Sequence, residues 1–235
     1  MNNNKEVLSL ADKARVMERE IKRTLNFRDK EMLNIEISYP QIELDGGYFA
    51  QRRINLYFSQ KAQRLLRTSI RRLYPQAVRQ YLESIRNGYP FNPYQLVSKY
   101  TVTFNEECHL SLYTDTYEFT GGAHGTTLRT SDTFDLRTGQ RLPLSSFFKR
   151  GVNYKKMLID EIKKIAEYNM SKNPGIYFDN YKELIEKNFN EESYFISPQG
   201  INIYYQQYDI APYSTGIVVF TVPYKTLQID KPDCK

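Results

Sequence analysis

Tryptophan is absent from this chain of 235 residues, and histidine and cysteine occur only twice each. His109 and His124 have no HxH or HxxxH spacing, so they cannot supply the several ligands that a tetrahedral metal centre needs, and neither a metal nor a cofactor is expected. The two cysteines, Cys108 and Cys234, make no disulfide framework and no metal-ligand cluster, and they fit a reducing compartment. There is no GxSxG elbow to present a nucleophilic serine. No stretch approaches the ~20 apolar residues of a membrane span. The opening MNNNKEVLSLADKARVMEREIKR lacks the apolar core of a signal peptide. As the sequence stands a cytoplasmic location is expected, or an extracytoplasmic one if a leader has been removed.

What is present is ordinary globular composition, with 40% apolar and 26% charged residues. The aromatics are lopsided, with 20 tyrosines and 13 phenylalanines. Tyrosine has an apolar ring and a polar tip, which suits half-buried strands and polar or sugar-binding surfaces. The net charge of +6 favours an anionic partner.

Residues 5–24 have helical spacing (Val7, Leu10, Ala14, Met17, Ile21), but a strand over 16–26 turning at Phe27-Arg28-Asp29-Lys30 into a second at 31–39 is equally consistent. Tyr39-Pro40 is expected to end that second strand. A long helix is predicted over 48–73 and, after a kink at Pro75, another over 76–86, closed by Asn87-Gly88. From 95 to 137 alternating runs predict strands, with a hairpin turn at Asn105-Glu106-Glu107 and another turn at Thr138-Gly139. Residues 153–170 read as an amphipathic helix with Met157, Ile159, Ile162, Ile165 and Ala166 on one side. A short helix over 179–188, a hairpin across Pro198-Gln199-Gly200 and a final strand in GIVVFTVPY follow. Strands and helices in separate blocks indicate an α+β fold, a mostly antiparallel sheet packed against helices in two intimately joined lobes.

Three stretches are candidate sites. In YEFTGGAHGTT, Gly121, Gly122, His124 and Gly125 read as a structural turn needing positive φ or close backbone approach, with the histidine pinning it by a hydrogen bond. Between Gly46 and Leu82 there is no acid but eight bases: Arg52, Arg53, Lys61, Arg64, Arg67, Arg71, Arg72 and Arg79. On a helix, Lys61, Arg64, Arg67 and Arg71 share one side and Ala62, Leu65, Leu66, Ser69, Ile70 and Leu73 the other, so the first group could present an anion-binding face or a merely solvated one. Nucleic acid is not expected, because aromatics do not interleave with these bases. In YYQQYDIAPYSTG, Asp209 with Tyr205, Tyr208 and Tyr213 could line a sugar-binding groove. Asp115 and Glu118 could approach it, and a pair of carboxylates at a set separation would permit glycoside hydrolysis. A loop fixed by Pro212 and Gly216 is the plainer alternative.

The runs TGGAHGTT, FDLRTGQRLPLSSFF and FISPQGINIYYQQYDIAPYSTGIVVFTVPY resemble the domain of unknown function 3298. ISYPQI, the basic helix, and NGYPFNPYQLVSKYTVTFNEECHLSLYTDTYEFTGGAHG resemble its companion, the domain of unknown function 4163. The resemblance spans residues 16–227 and divides the chain into an extension (1–15), a 4163-like lobe (16–120), a 3298-like lobe (121–227) and a tail (228–235). The pair is similar to the extracytoplasmic module of RsiV-type anti-sigma factors, which bind lysozyme, and to the N-terminal region of PdaC-type peptidoglycan deacetylases, whose catalytic domain is a separate one. The resemblance implies a non-catalytic bacterial binding module that recognises an acidic polymer, a wall glycan or a protein ligand such as a lysozyme. The alternative is a carboxylate-based hydrolase acting on wall glycan.

Overall fold

A computed structural model describes residues 12–234. Strands β1 (Arg15–Phe27) and β2 (Lys30–Glu43) form an antiparallel hairpin whose turn holds Arg28 at φ 54°. The strand reading of 16–26 therefore prevails over the helical one, whose residues 5–11, like most of the expected extension, lie outside the described residues. Pairing decides this: β1 buries only Ile21, and its backbone is satisfied by β2 rather than by a helix of its own. β2 continues past Pro40 because β1 stays paired with it as far as Glu43, and Asn55 satisfies Ile42. The Ile42 amide donates to Asn55 Oδ1 at 2.7 Å, and Asn55 Nδ2 donates to the Ile42 carbonyl at 2.9 Å.

Helix α1 (Tyr48–Asn87) is continuous through Pro75, where two helices were expected. Leu66, Leu73, Ala77 and Ser84 are all buried, on both sides of the proline. Sheet packing along this stripe outweighs the ~3 kcal/mol that an interior proline costs. Gly88, at φ 72°, ends the helix, with its amide on the Ser84 carbonyl.

The helix is the crossover between β2 and its parallel neighbour β3 (Tyr94–Glu106), registered Ile35 against Leu96. Antiparallel strands β4 (His109–Phe119), β5 (Thr126–Asp135) and the two-residue β6 (Gln140–Arg141) complete a six-stranded sheet in sequence order. The β3–β4 turn lies at Glu107-Cys108, both at positive φ, not at 105–107. Because β5 and β6 belong to this sheet, the expected boundary at 120/121 falls inside it. A 3-10 turn (Leu144–Phe147) leads to α2 (Tyr154–Lys172) and α3 (Tyr181–Lys187). These pack Leu158, Ile162, Ala166 and Ile185 against a second sheet of β7 (Tyr194–Ser197), β8 (Gly200–Tyr205) and β9 (Val218–Pro223). The architecture is α+β, with one parallel pair among antiparallel ones, in two sheet-bearing regions.

Alternation along β4 and β5 gives each strand two duties. Leu110, Leu112 and Phe134 face α1 and share a core with Ala50, Ile54 and Phe58. Ser111, Tyr113 and Ser131 face the second sheet: the Ile196 amide donates to Ser111 Oγ at 3.1 Å, the Tyr113 and Phe195 rings lie 5.3 Å apart, and Ser131 Oγ donates to the Tyr194 carbonyl.

Cys108 and Cys234 are disulfide-bonded, 126 residues apart. Composition fits a reducing compartment without fixing their oxidation state, and the fold pairs them. The positive-φ turn that presents Cys108 is not visible in composition, nor is the return of the tail to it. Lys231 also pairs with Glu106 at 3.0 Å, so 228–234 are tied to the β3–β4 hairpin.

Candidate functional site

Beyond Asp135 and Phe134, where β6 pairs, the outer edge of β5 has no neighbouring strand among the described residues. Two glutamines close it instead. Gln207 Oε1 accepts the Thr127 amide at 2.8 Å, Gln206 Oε1 accepts the Arg129 amide at 3.0 Å, and Gln206 Nε2 donates to the Arg129 carbonyl at 2.8 Å. The side chains stand in for a strand without filling its volume. Three contiguous hollows of about 310, 540 and 440 Å³ result, all lined by Leu128. Together they form a groove between α1, the hydroxyl-rich floor of Ser98, Thr114, Thr116 and Thr130, and the loop at 206–209. Leu128, on the outward side of β5, is 57% exposed.

The largest hollow is built around Asp132, which alternation places on the α1 face and which is 2% exposed. Its Oδ1 accepts from Tyr57 OH at 2.6 Å and from Arg141 Nε at 2.9 Å, and its Oδ2 accepts from Lys61 Nζ at 2.7 Å. Arg141 Nη2 continues to Glu192 at 2.5 Å. Burial, with the Asp132 charge beside it, pushes the Tyr57 hydroxyl above its ordinary range. Arg129 makes a two-pronged pair with Asp115 at 2.7 and 2.6 Å and lies 3.8 Å from the centre of the Tyr113 ring.

The expected basic face is present in part. Ala62, Leu66, Ser69 and Leu73 are buried as the periodicity requires, and Arg64, Arg67 and Arg71 are exposed with no ion pair among the described residues. Lys61 departs from them, being turned onto Asp132, and Arg72 makes two contacts with Glu118. Arg64 lines the groove, whereas Arg67 and Arg71 lie on the exposed face of α1 and line none of the three hollows.

The tyrosine-rich loop divides its residues: Tyr205 and Tyr213 hold the fold together, and Tyr208 and Asp209 line the groove. Tyr205 is a core residue, 1% exposed, donating to the Ile185 carbonyl at 2.9 Å. Tyr213 donates to the Gly125 carbonyl at 2.8 Å and stacks on His124 with ring centres 4.1 Å apart. Tyr208 is exposed, at φ 68°. Asp209 does face the groove: its Oδ2 accepts the Gln206 amide at 2.7 Å, and burial pushes its carboxyl above the usual range.

In the glycine turn the demands differ by position. Gly121 sits at φ 83°, and a Cβ on Gly125 would lie 2.4 Å from the Glu118 carbonyl oxygen. Gly122 needs neither, since its φ is not positive and no atom lies near its would-be Cβ. His124 Nδ1 is 3.2 Å from the Gly125 carbonyl, and the ring is held as well by the Tyr213 stack.

The carboxylates around the groove are engaged: Asp132 with Lys61 and Arg141, Glu192 with Arg141, Asp115 with Arg129 and Glu118 with Arg72. Asp12, Cys108 and Cys234 form a cluster of potential ligand atoms elsewhere, within 4.8 Å of one another. With the two sulfurs bonded to each other, neither is a thiolate free to bind metal.

Residues 27–127 match the family described as "Deacetylase PdaC", and residues 145–225 match "Protein of unknown function (DUF3298)". A DUF3298-like domain is fused to a PdaC-related N-terminal domain. The groove lies at their junction, with α1 from the PdaC-related part and the 188–209 loops from the DUF3298-like part. No curated protein matches the sequence. The fold is similar to crystal structures of a DUF3298 family member from Bacteroides fragilis (19% identity, TM-score 0.63) and of another from Pseudomonas aeruginosa (18%, 0.62). Each covers 94% of this chain over 96% of its own.

Tyr57, Leu128, Asp132, Arg141, Asn188, Asn190 and Glu192 were not singled out from sequence. One signal was legible. Asp132 alternates with Phe134, a core residue on the α1 face of β5, and a charge at such a position needs partners.

Proposed function

We propose that this chain is a non-catalytic binding module for an anionic cell-wall glycan, held in the groove between α1 and β5. The observation that carries the reading is the distribution of charge. Arg64 at the groove, and Arg67 and Arg71 on the adjoining exposed face of α1, have no acid partners among the described residues, whereas Asp132 and Glu192 in the groove are occupied by their own cations. A carboxylate pair free to act as acid and base is what a glycosidase requires, and four of the five acids here are locked in ion pairs. The Cys108–Cys234 bond supports an extracytoplasmic location, because disulfides persist in oxidising compartments. The match to a family named for a deacetylase supports a wall context.

Co-sedimentation with purified peptidoglycan tests the reading. Binding is expected to fall steeply as salt is raised to about 1 M, where screening acts over ~3 Å, and to be lost when Arg64, Arg67 and Arg71 are all changed to Glu. Binding that ignores both salt and the triple substitution would refute the charge argument, and release of soluble reducing sugar would favour the hydrolase.

A further inference from the structure

The polar end of the groove has a different character from the arginine face of α1. Lys61 and Arg141 are matched by Asp132 and Glu192 in one connected chain of ion pairs, so this wall presents fixed donors and acceptors with no net charge. An anion entering here would compete with two carboxylates already in place. A neutral ligand carrying hydroxyls would not.

The facing wall repeats the pattern with uncharged groups and one carboxylate. Asn188 Nδ2 donates to the Asp209 carbonyl at 2.7 Å, Asn190 Oδ1 accepts the Glu192 amide at 3.0 Å, and Asp209 Oδ2 accepts the Gln206 amide at 2.7 Å. Each side chain is thus fixed to the backbone through one atom. The other atom, the Asn188 amide oxygen, the Asn190 amide nitrogen or Asp209 Oδ1, has no protein partner among the described residues. Acceptor, donor and acceptor at fixed positions suit hydroxyls, which both give and receive a hydrogen bond. Leu128, exposed beside them, offers an apolar surface to the C–H face of a ring. The hollow of about 540 Å³ lies within the range of small-molecule sites.

We propose that the hollow between Asp132 and the Asn188–Asn190–Asp209 wall is a subsite for a neutral pyranose ring within a longer glycan. The inference rests on the glycan-binding reading above and divides the labour within it. The arginine face of α1 takes the anionic substituents and this hollow takes an uncharged sugar. That burial raises the Asp209 carboxyl agrees with a group held where the fold itself gains little from its charge.

The probe is the neutral tetramer of N-acetylglucosamine, titrated calorimetrically into the full chain. Saturable binding is expected, changing less than about twofold between low and high salt, because no net charge is neutralised. Asn190→Asp and Asp209→Asn keep the atom that holds the backbone and reverse the ligand-facing one. Each is expected to weaken the tetramer by about tenfold or more, since a donor or acceptor that the bound ring covers and leaves mismatched is costly, while melting temperatures stay at or above wild type for Asp209→Asn. In the wild-type protein the side-chain amide signals of Asn188 and Asn190 should shift on addition of the tetramer, a readout independent of how the variants fold. If peptidoglycan sediments with the protein but the tetramer neither binds nor shifts those signals, the subsite is wrong and the module reading stands. If neither ligand binds, both fall. Tetramer binding that is unchanged in both variants also overturns the subsite.

Discussion

Asp132→Ala removes the acceptor that holds Tyr57, Lys61 and Arg141 together, and its cost can be worked from their surroundings. Breaking a fully buried ion pair by deleting one partner costs roughly 3–5 kcal/mol, because the survivor is left charged and dry. Here the survivors are not dry: the Lys61 and Arg141 side chains retain 34% and 38% of their exposure and can turn to water. That brings the ionic part down to about 2 kcal/mol. The half-buried Tyr57 hydroxyl loses its acceptor as well, for about 1 kcal/mol more. The total, about 3 kcal/mol, corresponds to a fall of roughly 6–12 °C in melting temperature for a chain of this size. Urea unfolding followed by near- and far-ultraviolet circular dichroism would measure it and would show whether the two sheets unfold together. Combined with Lys61→Met, the two changes should be non-additive by about 1 kcal/mol or more, as expected of residues sharing one network. A loss below about 0.5 kcal/mol for Asp132→Ala, typical of ordinary surface positions, would refute the claim that this acid organises the site.

Gly125→Ala should destabilise by at least about 2 kcal/mol in the same assay, because the new methyl meets a carbonyl fixed in β4 and overpacking must be relieved by backbone movement; Gly122→Ala should be close to neutral, and equal effects would disprove the distinction. Changing Cys108 and Cys234 to Ala should cost about 2–4 kcal/mol, and a reductant should lower the wild-type melting temperature while leaving the double variant unchanged. Asp209→Asn should raise stability at neutral pH. Burial raises the Asp209 carboxyl in the fold, so the folded chain holds its proton longer than the unfolded one, and stability falls as pH rises from the unfolded value of about 3.9 through the folded one. The advantage of the asparagine should therefore vanish in acid, and an advantage that grows there would contradict the sign.

The sequence was most informative where period and burial coincide. Ala62, Leu66, Ser69 and Leu73 recur at helical spacing and do line the buried side of α1, and the alternation of β4 and β5 sorts their side chains between α1 and the second sheet. It was least informative where a residue's role depends on a partner distant in the chain. Pro75 reads as a break until the sheet beneath α1 is known. Whether Cys108 and Cys234 pair is not legible until a return over 126 residues brings them together. Tyrosine misled for a physical reason: its ring and its hydroxyl serve a core, a latch or a ligand equally well. Tyr205, Tyr213 and Tyr208 stand respectively in the core, in the latch and at the exposed wall of the groove.

The location of the groove follows from how β5 avoids being an open edge. An unpaired strand edge invites association with another chain, and proteins cover it, charge it or pair it. A seventh strand beside Thr126–Arg129 would satisfy the backbone but would also occupy the space that α1 and the 206–209 loop leave open. Gln206 and Gln207 supply three of the same hydrogen bonds from side chains that reach in from the loop. The edge is thereby protected while a concave surface survives along it. That surface is lined on one side by the PdaC-related helix and on the other by loops of the DUF3298-like region. Neither region alone contains both walls, so a binding site here requires the two to be held in fixed register. The Tyr213–His124 stack and the Ser111 and Ser131 bonds to β7 provide that register.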